Sequence, residues 1–195
     1  EPLATVALDA FWIDVHPVTV AEFARCIQDD HCSANGLRMP YFLGEDQPEV
    51  AAACNWKAPG RSAHPINCVS WTQAEQFCAW MGKRLPSSAE WEKAARGTDG
   101  RLHPWGDGGF TGDPRANIAD ERARGSVPAA RILRGYDDGY AGTSPVGAFP
   151  SGVSPYGALD MIGNVWQWVA DDHGDRHEVR GASWASGAAA AHVAH

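Results

Sequence analysis

Residues 154–171, SPYGALDMIGNVWQWVAD, limit what this chain can become more than any other stretch. They set Trp166 and Trp168 two residues apart, just after Gly157, Gly163 and Asn164. Glycine and asparagine are the residues that let a backbone turn sharply. In a strand, side chains at i and i+2 share a face, so the spacing predicts two indoles directed into one core. A glycine-rich, irregular approach to a short aromatic strand implies braced loops rather than long regular elements. The 195 residues, with 21 glycines, 13 prolines and 9 tryptophans, fit that picture as one domain over residues 1–195 with a single substantial core.

The net charge of -8 argues against nucleic acid or an anionic membrane as the main partner. No apolar run approaches the ~20 residues of a membrane helix, so no membrane insertion is expected. The chain opens at Glu1 without methionine, which implies a processed or trimmed start. Of the five cysteines, Cys26 and Cys32 flank IQDDH, and Cys54 and Cys68 flank a Pro/Gly loop, so two local disulfides are plausible. Pairing favours an extracytoplasmic or thermophilic setting, and reduced buried thiols a cytosolic one. Cys78 is left over, and no CxxC pair or zinc spacing exists.

Three helices carry local start signals. Thr19 with Glu22, Ser70 with Gln73, and Ser87 with Glu90 each form a capping box. Behind them, Val20, Phe23, Ala24 and Ile27 make an apolar face over residues 20–28. Ala74, Phe77, Cys78 and Met81 make the next, stopped by Gly82, and Trp91, Ala94 and Ala95 the third, stopped by Gly97. Strands are expected at residues 11–15 (FWIDV), within 145–150 (PVGAF) and at 178–184 (EVRGASW). Residues 29–65 and 98–150 read mostly as loop.

Several segments together resemble the formylglycine-generating enzyme (sulfatase-modifying factor) family. They are FWIDVHPVTVAEF, PINCVSWTQAEQFCAWMGKRLPSSAEWEKAAR, PWG, ANI, residues 144–168 and RGASW, in order over nearly the whole chain. The combination of GKRLP, AEWE, YGALDMIGNVWQW and RGASW is specific where any one alone is weak. The resemblance implies an α+β, C-type-lectin-like, loop-rich fold. That fold carries oxidases, ergothioneine-type synthases, kinase-linked sensor domains and retroelement-diversified binding proteins, so it fixes architecture better than activity.

The family's oxidases hold copper through two cysteines just after the strand equivalent to RGASW, and soft thiolates are what Cu(I) requires. Here Ser186 stands near the first position, and the second falls within residues 188–191, all alanine. Copper is therefore not expected, and a copper-dependent oxidase is the alternative reading. The eight histidines form no HxH or helical HxxxH pair, and Ser183 lacks a nucleophile elbow. Calcium fits better. The resemblance implies a site from Asn117, the Ile118 carbonyl, Asp138 and the Tyr140 carbonyl, an oxygen set suited to a hard cation. Asx turns at Asn117 and Asp138 are the competing explanation. A second family site would use Ile162, Gly163 and Val165 through backbone oxygens plus a glutamate, but Gln167 stands at the glutamate position and removes a charge.

Residues 185–195, ASGAAAAHVAH, replace the larger and often basic residues usual in the family, and the family's closing GFR-type segment is missing. By the same resemblance, Cys78 matches a helix cysteine whose partner lies in that segment. The reading that follows is a non-catalytic domain binding a protein or cell-surface ligand. Its recognition face is Trp184, Ser186, His192 and His195, with Trp168 and Arg180 beneath. Diversity-generating retroelements vary this segment in C-type-lectin-fold proteins, and Ala, Ser, Gly, Val and His are all reachable from the asparagine codons they act on. A sensor module fused to a kinase is the other binding alternative.

Overall fold

The computed structural model describes residues 6–37, 53–172, 174 and 176–193, and all three capping boxes form in it. Helix α1 spans Val20–Gln28, α2 spans Trp71–Trp80 and α3 spans Ser88–Arg96. At α1 the Thr19 hydroxyl accepts from the Glu22 amide at 3.2 Å, while the Glu22 carboxylate accepts from the Thr19 amide at 2.8 Å. Each box ties amides that a helix start otherwise leaves unpaired. Strands β1 (Gln167–Asp172) and β2 (His177–Arg180) form an antiparallel pair, with Gln167 opposite Arg180 and Trp168 opposite Val179. Two single 3₁₀ turns, Ala129–Arg131 and Pro150–Gly152, complete the regular structure among the described residues. This is the loop-rich α+β architecture expected.

Two apolar clusters hold it. The larger gathers Trp91, Ala94 and Ala95 of α3 with Ile118, Tyr136, Ile162, Val169 and Val193, and α3 packs on both strands. The smaller joins Val20, Phe23 and Cys26 of α1 to Cys32, Leu37, Ile66 and Phe77, with the Phe23 and Phe77 rings stacked at 5.6 Å. Both expected disulfides are present: Cys26–Cys32 lies in the smaller cluster, and Cys54–Cys68 closes the loop that carries Ile66 into it.

The strand expectations need correction. Residues 11–14 join no ladder and Val15 lies in a bend; the Val15 carbonyl accepts from the Leu159 amide at 2.6 Å. Apolar–acidic alternation makes a segment fit for a sheet, yet a partner edge must be supplied from elsewhere in the chain. Residues 145–149 form a turn closed by the Ala148 amide on the Pro145 carbonyl, leading into the 3₁₀ turn at Pro150. The late strand ends at Arg180 because Gly181, at φ 94°, and then Ala182, at φ 64°, have left the extended region.

Two packing expectations also shift. Met81 caps the end of α2 and is exposed, while Gln73 is buried, its amide donating to the Ser33 and Asn35 carbonyls at 3.0 and 2.9 Å. Trp166 and Trp168 are half-buried, and the fully buried residue of β1 is Val169. β1 begins at Gln167, so Trp166 lies outside the strand and packs on the larger core. The Trp168 indole instead donates to the Val69 carbonyl at 3.0 Å.

Candidate functional site

The Asn117–Asp120 turn and the Asp137–Tyr140 turn lie against each other through main-chain bonds to carboxylates. The Ile118 amide donates to Asp138 Oδ2 at 3.0 Å and the Tyr140 amide to Oδ1 at 2.9 Å. Asn117 Nδ2 donates to the Gly142 carbonyl at 2.8 Å, which aligns the amide of a side chain only 1% exposed. Its Oδ1 is buried and has no hydrogen-bond partner. A buried, unpaired carbonyl oxygen is costly unless a cation or water meets it. Burial pushes the Asp138 carboxyl up to about 7, and the neighbouring Asp120 acts the same way against the pull of the Tyr140 and Ile118 amides. An orphaned amide oxygen beside a buried carboxylate fits a hard cation. The Asx turn at Asp138 forms as the competing explanation expects, and the unpartnered Asn117 Oδ1 is what that turn leaves unaccounted for.

The second proposed site fits poorly. Gln167 Oε1 accepts the Trp91 indole N–H at 3.0 Å, and its Nε2 donates to the Asp160 carbonyl at 2.7 Å. Ile162, Gly163 and Val165 are buried, with the Gly163 amide on the Gly181 carbonyl at 2.7 Å. A neutral amide spent at both ends offers no charge to a dication, so these residues do not fit one.

The tail runs beside the first site. The Ala119 amide donates to the Ser186 carbonyl at 2.9 Å, and the Trp184 amide to the Asn164 carbonyl at 3.1 Å. Asn164 in turn donates its own amide to the Asn117 carbonyl at 2.8 Å. Ser186 faces inward, its hydroxyl accepting from the Ser183 amide at 3.1 Å. Trp184 and His192 are half-buried, and His192 lies between the buried Ala191 and Val193. His195 lies outside the described residues. Arg180 donates to Glu92 Oε2 at 2.7 Å and to the Val193 carbonyl at 3.2 Å, with its guanidinium 5.5 Å above the Trp91 ring. Arg180 therefore anchors the tail from below. The structure thus brings the Asn117 turn and the tail together, which sequence spacing does not reveal. Asp120, buried against Asp138, is a residue that sequence reading missed; its signal was a second acid three places after Asn117.

A cavity of about 530 Å³ opens elsewhere, between residues 11–17, α2 and the start of β1, lined by Phe11, Phe77, Cys78, Trp91 and Trp166. Burial pushes the Cys78 thiol up to about 11, so it stays protonated and unreactive at neutral pH.

A buried polar knot ties the 54–68 loop to residue 143. Arg61 Nη1 donates to His64 Nδ1 at 2.9 Å, and Thr143 Oγ1 lies 3.0 Å from the same nitrogen and accepts from Asn55 Nδ2 at 3.0 Å. Burial first, then the Arg61 charge, pushes the His64 imidazole down from 6.5 to about 4. The unfolded chain therefore binds the extra proton first. Stability from this group is full above pH 6.5 and is lost as pH falls toward 4. Asp138, pushed up to about 7, titrates across the same window with the opposite sign, so the His64 contribution is read as a difference. His64→Gln is expected to gain melting temperature relative to wild type as pH falls from 6.5 toward 4. A slope unchanged by the substitution would refute a neutral, buried His64. Glu90, held near 2 chiefly by its bonds to Arg84, titrates below the window.

Comparison with known proteins bears on the family and the fold. The profile of the sulfatase-modifying factor enzyme 1-like domain matches residues 1–195. The formylglycine-generating enzyme of Bos taurus is 34% identical over 198 residues, covering 87% of this chain and 51% of that protein. The inactive C-alpha-formylglycine-generating enzyme 2 of Bos taurus is 42% identical over 215 residues, covering 94% and 68%. The chain thus spans about half the length of the first relative. Among solved structures, Treponema denticola variable protein 1 superposes with a TM-score of 0.54 at 19% identity, over 92% of this chain and 75% of that one, a likeness of fold. Profile, relatives and architecture together place this chain in the formylglycine-generating enzyme (sulfatase-modifying factor) family, with its C-type-lectin-like fold.

Proposed function

We propose that this domain binds a protein or cell-surface ligand through its C-terminal strip and performs no copper oxidase chemistry. The observation that carries the reading is how the strip is held. Beyond the Ser183 and Ser186 hydroxyls and the Arg180 contact, its path to Val193 is held by main-chain groups: the Ser186 carbonyl on the Ala119 amide, the Ala190 amide on the Gly187 carbonyl, the Ala191 amide on the Ala188 carbonyl, and the Val193 amide on the Leu102 carbonyl. Ala191 and Val193 anchor it in the core, Ala188 packs against that core and a Cβ at Gly187 would meet the Arg131 carbonyl oxygen at 3.1 Å, while Ala189 is exposed and Ala190 half-buried. A segment positioned by its backbone tolerates change in its outward side chains, as a recognition surface on a rigid scaffold requires. The donor set at Ser186 and residues 188–191 is hydroxyl and alanine, which does not fit Cu(I). Similarity to an inactive relative supports the same reading.

Calcium belongs to this proposal. Asn117 Oδ1, the Ile118 and Tyr140 carbonyls and the Asp138 carboxylate would hold it, and its charge would stiffen the turn on which Ser186 rests. The two disulfides accord with an extracytoplasmic setting. Two measurements test the reading. Calcium is expected to raise the melting temperature and chelation to reverse the rise, whereas an unchanged melt removes the ion. Copper-loaded protein given a cysteine-containing sulfatase peptide is expected to yield no formylglycine, and measured turnover would overturn the non-enzyme reading.

A further inference from the structure

Two carboxylates, not one, are buried at the Asn117 turn. Asp120 is 0% exposed and Asp138 5%. Asp120 Oδ2 accepts the Asp138 amide at 2.6 Å, and its Oδ1 accepts the amides of Arg122 and Ala123 at 2.8 and 3.3 Å. Among the described residues neither carboxylate takes part in an ion pair, and the nearby Arg122 spends its guanidinium on the exposed Asp137 at 2.8 Å. Two adjacent buried carboxylates outside any ion pair are a costly arrangement, relieved either by a proton on Asp138 or by a bound cation. The unpartnered, buried Asn117 Oδ1, one residue from the amide that binds Asp138, points independently to a ligand there.

The two carboxylates differ in what they have left to offer. A carboxylate has about four acceptor positions. Asp120 commits three of them to backbone amides, whereas Asp138 commits one on each oxygen and keeps the rest. We infer that Asp120 is a positioning residue for the cation site: it fixes the Asp138 turn through the Asp138 amide and supplies a second negative charge behind the ligating one. It acts on the ion through space and through Asp138, without ligating it. This rests on the calcium reading above and adds a residue to it.

The test is calcium titration by calorimetry, paired with melting in chelator, on the full chain and its variants. Asp120→Asn loses the charge and sets an NH2 group against a backbone amide that a carboxylate oxygen now accepts. It is therefore expected to lower the metal-free melting temperature and also to weaken calcium binding about tenfold or more. A merely structural Asp120 predicts the lower metal-free melt with unchanged affinity. Asp120→Glu, which keeps the charge, is expected to retain more affinity than Asp120→Asn, and covers the case in which the asparagine variant folds poorly. Glu121→Gln, beside it in sequence but paired outward with Arg124, is expected to bind like the wild type. Wild-type affinity in Asp120→Asn overturns the inference alone. A wild type that binds no calcium overturns both the inference and the calcium reading.

Discussion

Gly163→Ala is expected to cost more than about 3 kcal/mol of stability, or to prevent folding. At φ +80° an added Cβ would sit 2.1 Å from the Asn117 carbonyl oxygen and 2.9 Å from its carbon. Those atoms are backbone, so no rotamer change relieves the clash. The chain would have to separate the two segments, breaking the 2.8 Å bond from the Asn164 amide to the Asn117 carbonyl. Gly157→Ala is the internal control. Its φ is +85° but nothing lies within 4 Å, so it should cost only the ~1 kcal/mol of left-handed backbone. Denaturant titration of the two variants separates strain from contact, and equal losses would refute the close approach.

The second large effect is at Trp91, 1% exposed at the centre of the larger core. Trp91→Ala is expected to lose about 3–5 kcal/mol through the cavity it leaves. Trp91→Phe keeps most of the packing but removes the N–H that Gln167 Oε1 accepts, at an expected cost of about 1–3 kcal/mol. Because the Trp91 ring also lies under Arg180, the alanine variant should loosen that arginine and, through it, the Val193 end of the tail. Hydrogen exchange at the Val193 amide reads this directly, and protection equal to wild type would exclude the coupling.

What could be read from the sequence was local. Capping boxes join residues three apart, so Thr19, Ser70 and Ser87 reveal their helices without knowledge of the rest of the fold. The cysteine loops were equally short-range. Strands were harder, because pairing depends on a distant edge: FWIDV has the right alternation and no ladder, while β2 stops where Gly181 and Ala182 leave the extended region. The family motifs carried the fold and the Asn117/Asp138 pairing. They did not reveal Asp120, whose role exists only once the Asp138 amide reaches it from 18 residues away. Ser186 was read as part of a recognition face from its position in the tail. Its inward turn depends on Ser183 and Ala119, one of them far off in sequence.

Both cystines lie on one side of the architecture. Cys26–Cys32 and Cys54–Cys68 brace the part built on α1 and the 54–68 loop, and no bridge among the described residues reaches α3 or the two strands. A loop of about 15 residues closed this way gains about 3 kcal/mol in the chain-entropy model. A thiol reductant therefore acts on half of the molecule: it slackens the smaller cluster while the platform under the tail keeps its own packing. Redox conditions would set how firmly the domain is framed without rewriting the surface it presents.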